Sequence, residues 1–228
     1  MNASLIPSFK ESIFSDVADI AVDLGEIGID SVLRDGLIKD IPIVSVFYKF
    51  ANIATSIREQ YLLKKTLIFI QEMNDGRVSD DVRNQYMKRL ESDPKGLDKE
   101  LEYILISIDR HLQSIKSKIL ARFYVAYLDP ANEYNWADFC ILLEILDEIS
   151  IYDFDALFHI YKNESINILD NIEKISLFQI ARLEKCGTVY ENTIVIDNRL
   201  SSKNISVTPQ GRIFCELSKI EDFVDAEE

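Results

Sequence analysis

Nine apolar residues, Leu101, Ile104, Leu105, Ile108, Leu112, Ile115, Ile119, Phe123 and Ala126, recur at helical steps along roughly 26 residues of the chain. That spacing lays them on one face of a helix of about seven turns. No glycine or proline interrupts the run, and Asp129-Pro130-Ala131-Asn132 closes it. In all 228 residues there are 7 Gly and 5 Pro, too few for a turn-rich sheet protein. Long helices are the natural consequence, and the fold class expected is mainly α.

The same reading extends upstream. Residues 8–38 carry a helical pattern with a break near Gly25 and Gly28. Asp40-Ile41-Pro42 marks a helix start, because proline is tolerated in a first turn where its missing N–H is not needed. Beyond it Ile43, Phe47, Phe50, Ile53, Ala54 and Ile57 form a stripe that continues through Leu62, Leu63, Leu67, Ile68 and Ile70 to the turn at Asn74-Asp75-Gly76. Ser79-Asp80-Asp81 supplies an N-cap and favourable charge for a short helix ending near Ser92-Asp93-Pro94. The domain boundary falls at Asp129-Pro130, dividing the chain into a helical bundle, 1–130, and a second module, 134–228.

In the second module three helices are expected, from about Trp136 to Glu148, Asp153 to Lys162 and Ile168 to Lys185, with Gly187 at the stop. The period then changes. Thr188-Val189-Tyr190, Thr193 to Ile196 and Asn204 to Thr208 are short β-branched runs, and helix resumes from Pro209 to about Phe223.

Charge limits the partners. The net charge is −14, and it is unevenly spread. Residues 1–135 hold 17 basic and 21 acidic side chains, whereas the remainder holds 8 and 18. Phosphate neutralisation needs Lys and Arg, so this balance makes nucleic acid an unlikely partner and disfavours anionic lipid. Cys140, Cys186 and Cys215 lie far apart in mostly apolar surroundings, with no CxxC or Cys/His cluster. They read as buried thiols of a cytoplasmic protein, not zinc ligands. The N-terminal stretch lacks the basic and long apolar regions of a signal peptide, and no segment reaches the roughly 18 consecutive apolar residues of a spanning helix.

Three helices, a β-hairpin and a closing helix follow the order of a winged-helix domain. In Ser176 to Val189, SLFQIARLEKCGTV, Ile180 and Leu183 are apolar and Gly187 ends the helix before a strand. Ser206-Val207-Thr208-Pro209-Gln210-Gly211-Arg212 resembles the segment where the wing of MarR- and PadR-type regulators runs into the next helix. The resemblance implies a recognition helix over Lys174 to Lys185 and a wing over Tyr190 to Ser206. In a DNA-binding member Lys174, Arg182, Lys185, Arg199 and Lys203 would meet bases and phosphates. Here Glu173, Glu184, Glu191 and Asp197 accompany them, which favours packing or protein binding.

The stretch Lys39 to Val44, with Ser56 to Arg58, Lys64, Lys65 and Phe69, resembles uncharacterised bacterial helical proteins that share a "KDIPIV…SIR…KK" segment. That resemblance implies architecture rather than activity, and suggests bacterial defence or conflict systems as a setting. Physically, the stripe either packs inward with Arg58, Lys64 and Lys65 solvated, or serves as an exposed amphipathic surface. In the second case Ile43, Phe47, Phe50, Ile53 and Ile57 would bind a partner, and residues 41–70 could insert into a membrane with Lys64-Lys65 at headgroup level. The acidic flanks Asp35, Asp40 and Glu59 weigh against lipid.

No motif signals catalysis. HExxH, GxSxG, P-loop and GxGxxG patterns are absent from the sequence. His111 reads as a surface or boundary residue and His159 as packed or half-exposed. The acidic series Asp16, Asp19, Asp23, Glu26 and Asp30, and the group Asp147, Glu148, Asp153 and Asp155, read as solvated faces or caps. The expectation is a non-enzymatic interaction protein without a cofactor or metal, binding a protein partner or itself. A dimeric winged-helix transcriptional regulator and a membrane-active helical effector are the alternatives.

Overall fold

A computed structural model describes residues 5–14, 41–50, 56–74, 78–171, 173–197 and 200–224; side chains at 48–50, 194–197 and 200–202 are not described. The described residues are mainly helical, with one small three-stranded antiparallel sheet. The chain divides into two units, Met1–Tyr134 and Asn135–Glu228. The expected helix over residues 15–38 lies outside the described residues.

The first unit contains α1 (Leu5–Ser12), α2 (Pro42–Phe50), α3 (Ile57–Met73), α4 (Asp80–Ser92), α5 (Pro94–Arg110) and α6 (Ile115–Leu128). Helices α3 and α6 form its centre. Leu63, Leu67, Phe69 and Ile70 on one and Ile119, Leu120, Phe123 and Tyr124 on the other are buried. Phe69 bridges outward to Phe9 of α1, at a centroid separation of 5.7 Å, and inward to Tyr124 at 6.3 Å. Pro42 opens α2 as its position predicts, and the Ser12 hydroxyl accepts the Ile43 N–H at 2.9 Å, satisfying a donor the first turn cannot pair internally.

Three helix boundaries have explicit caps. Ser56 and Glu59 form a reciprocal capping box for α3, so the stripe from Ile43 to Ile70 is not one uninterrupted helix. Ser79 caps α4, and Asp93 both ends α4 and accepts the Gly96 N–H that opens α5 behind Pro94. The 26-residue stripe is likewise divided. Helix α5 ends at Arg110 and α6 begins at Ile115. The Lys65 ammonium, buried on α3, donates to the carbonyls of Asp109 at 3.1 Å and His111 at 2.6 Å. Those are carbonyls that a continuing helix would need for its own ladder, and a cation there is favourable against the helix dipole. Lys65, expected in solvent, is therefore a capping group. Burial lowers its pKa, with Asp109 acting in the opposite direction. His111, expected at the surface or boundary, is buried at this break.

The second unit runs α7 (Trp136–Glu148), a short 3-10 turn (Ile151–Asp153), α8 (Phe154–Asn163), β1 (Ser165–Asn167), a second 3-10 turn (Leu169–Asn171) and α9 (Leu177–Lys185). Then follow β2 (Val189–Asp197), β3 (Leu200–Val207), α10 (Pro209–Ser218) and a closing 3-10 turn (Ile220–Phe223). The sheet order is β1-β3-β2, with Ile166 opposite Ile205 and Val189 opposite Val207. These residues join Phe139, Leu143, Leu157, Leu183 and Phe214 among the buried apolar side chains of the unit.

The sequence reading differs in four places. The helix expected from Ile168 to Lys185 is a 3-10 turn followed by α9, which starts at Leu177 behind its own Ser176–Gln179 capping box. Two of the β-branched runs merge into β2, and β1 was not anticipated. The last helix stops at Ser218, because Lys219 takes a left-handed conformation at φ 49°. Of the three thiols, Cys215 is buried, whereas Cys140 and Cys186 are half-buried. Gly187 does stop α9. At φ 74° it permits the paired bonds Gly187 N–H to Glu184 and Thr188 N–H to Leu183, which close the last turn.

Candidate functional site

The site with the most to test is the face of α9 and the hairpin behind it, because the expected cations fall there. Arg182 projects from α9 to the 3-10 turn and binds Asp153 through two guanidinium nitrogens; the Nε contact is 2.7 Å. Asp153 has no exposed side-chain surface. The carboxylate is thus desolvated and neutralised by one fork-shaped donor. The same hydrogen bond raises the Arg182 pKa, and the guanidinium lies 4.4 Å over the Phe178 ring. Arg182 is occupied on both its edge and its face.

Two of the other cations are also matched. Lys185 lies 3.5 Å from Glu148, and on the hairpin Lys203 lies 2.9 Å from Glu191 across the strand pair. Lys174 is exposed but precedes α9 and its cap, so it is not on the helix where the resemblance places it. Arg199 lies outside the described residues. What the α9 face does present is apolar. Leu177 and Phe178 are 58% and 69% exposed, and Tyr152 beside them is 78% exposed. Gln179 donates to the Tyr152 carbonyl at 3.3 Å, holding the turn against the helix. Sequence reasoning singled out Ile180 and Leu183 in this segment and made no assignment for Leu177 and Phe178.

The stripe residues of the first unit separate. Ile43 is wholly buried, Phe47 is half-buried, and Ile57 is 82% exposed. Phe50 ends α2, with its side chain not described, and Ile53 lies outside the described residues.

For chemistry the arrangement offers little. His159 is half-buried, with Nε2 3.1 Å from the Asn171 amide oxygen. Burial pushes the Cys215 thiol up to about 12 and also raises Cys186. Both are poor nucleophiles at neutral pH. Among the described residues no group of three His, Cys, Asp or Glu side chains could hold a metal ion. Asp16, Asp19, Asp23, Glu26 and Asp30 lie outside them. Among them, too, no helix is long and apolar enough to cross a membrane.

No protein-family model matches the chain. No curated protein and no solved structure matches it either.

Proposed function

We propose that residues 135–228 are a winged-helix module used to hold another protein, and that the chain is a non-enzymatic interaction protein. The order α7-α8-β1-α9-β2-β3-α10 and the sheet order β1-β3-β2 support the winged-helix reading. In that reading α9 occupies the recognition position and the β2–β3 hairpin is the wing.

The observation that carries the choice of protein over DNA is charge matching. Arg182, Lys185 and Lys203 are paired with Asp153, Glu148 and Glu191. A phosphate backbone would have to break those pairs in a region of net charge −10, with 8 basic and 18 acidic side chains. Counterion release, the main source of DNA affinity, then has almost no source. The test is a salt-titrated binding assay on random duplex DNA, run beside light scattering on a sizing column. The expected result is no salt-dependent complex with DNA. Tight binding that falls steeply as salt rises overturns the reading in favour of a DNA-binding regulator.

A further inference from the structure

Resting on that reading, we propose that the face formed by the turn Ile151–Asp153 and the first two turns of α9 docks a basic amphipathic segment of another protein. Apolar side chains of the segment would cover Tyr152, Leu177 and Phe178, while its Lys and Arg residues face Glu173, Glu184 and Asp155.

Three large apolar side chains stand more than half exposed on two adjoining elements. They are held rather than loose. The Ser176–Gln179 capping box fixes the start of α9, Gln179 ties it to Tyr152, and Arg182 clamps Phe178 while gripping Asp153. A surface already ordered loses less entropy on binding, and aromatic anchors are the side chains that carry most interface energy.

The charge around the patch selects the occupant. Glu184 follows Leu177 by seven residues and so shares its helix face, Asp155 follows Tyr152 by three, and Glu173 precedes the cap; all three are exposed. Lys174 and Lys185 are exposed beside them, and Lys185 is held 3.5 Å from Glu148, so these four acids and two lysines leave the rim at −2 within a region of 8 basic and 18 acidic side chains. Arg182, which lies over Phe178, is spent on a buried carboxylate. A second copy of this chain would bring one acidic rim against another, which opposes a symmetric dimer through this face. Anionic lipid and nucleic acid are repelled for the same reason. A segment with apolar positions at i, i+3 and i+4 and Lys or Arg on its flanks complements both the patch and its rim.

The experiment is a selection from a random 16-residue peptide display library on the whole chain, counter-selected on the Leu177→Ser/Phe178→Ser variant. Enriched peptides should combine helical apolar spacing with net positive charge. A synthesised winner should lose about tenfold or more in affinity on the double variant, the scale expected for anchor residues. Its binding should also weaken on Glu173→Gln/Glu184→Gln and as salt rises. Because both apolar positions lie on one helix, Tyr152→Ser on the neighbouring turn serves as an independent variant, with circular dichroism confirming that each is folded. No enrichment over the counter-selection overturns the proposal, as does binding that Tyr152→Ser and the double variant leave unchanged. Uncharged or acidic winners overturn the basic partner while leaving a protein-binding function standing. Salt-sensitive DNA binding in the preceding assay removes both.

Discussion

Arg182 closes over Asp153 from the neighbouring helix, so that a carboxylate with no exposed surface meets a guanidinium about a third exposed. Removing the arginine leaves the carboxylate buried without its counter-charge, which costs more than the pair contributes. Arg182→Ala should therefore lower the melting temperature of the second unit more than Lys185→Ala, whose partner Glu148 is half in solvent. Arg182→Lys should not restore it, since a single ammonium cannot reproduce the two-pronged contact. Fluorescence of Trp136, the one tryptophan in the sequence, reports the transition from within the unit.

The start of α10 depends on a close approach between chain segments. The Thr208 hydroxyl accepts the Gly211 N–H at 2.8 Å and donates to the Gly187 carbonyl at 2.7 Å. A Cβ on Gly211 would collide with the carbonyl group of Thr188, a backbone atom that cannot rotate away. Gly211→Ala should destabilise the unit by about 3 kcal/mol, the upper end for overpacking. Thr208→Ala should cost about 1 kcal/mol, as for other lost N-caps. Urea unfolding followed by Trp136 fluorescence measures both.

In the first unit Arg122 and Glu72 form an ion pair between α6 and α3, with Nε 2.6 Å from Oε1 and both side chains almost wholly buried. Arg122→Met should cost about 3–5 kcal/mol, because Glu72 keeps a buried charge and loses the guanidinium that meets it at 2.6 Å, while Lys118 stands farther off at 3.8 Å. Replacing both by Met should recover most of that loss. A double-mutant cycle in urea, read by far-ultraviolet circular dichroism, checks the sign and size of the coupling.

Tyrosines at the centre of the same unit set an alkaline limit. Burial raises Tyr124 and Tyr86, and raises Tyr127 to about 12, with Glu100 acting in the same direction on Tyr127. A phenol whose folded pKa lies above its unfolded value of 10.0 contributes stability that is complete below pH 10. That contribution is lost as pH rises through 12. Unfolding and tyrosinate absorbance should therefore appear together above pH 10, with no transition tied to these groups near neutrality.

What the sequence made legible was whatever local chemistry decides. Ser79, the Asp93-Pro94 junction, Gly187 and the Thr208-Pro209-Gly211 series announce their boundaries because the capping group and the capped backbone lie within a few residues of each other. What stayed hidden is set by distant partners. Strand β1 is three residues with one buried side chain, Ile166, and is a strand only because β3 runs beside it. At α9, local spacing identifies Arg182 as a cation but cannot reveal that Asp153, twenty-nine residues earlier, neutralises it. The exposed pair Leu177 and Phe178 carries the same letters as core, and only the placement of α9 against the 3-10 turn separates the two.

The Lys65 contact also makes the shape of one stretch of chain conditional on another. No glycine or proline within residues 101–126 marks a stop at Arg110, and the ammonium that takes up the carbonyls of Asp109 and His111 comes from α3, more than forty residues earlier. Excised from its unit, that stretch would be free to close its own ladder and run on as a single rod. The segment whose periodicity is clearest is therefore one whose final course is dictated by an outside residue.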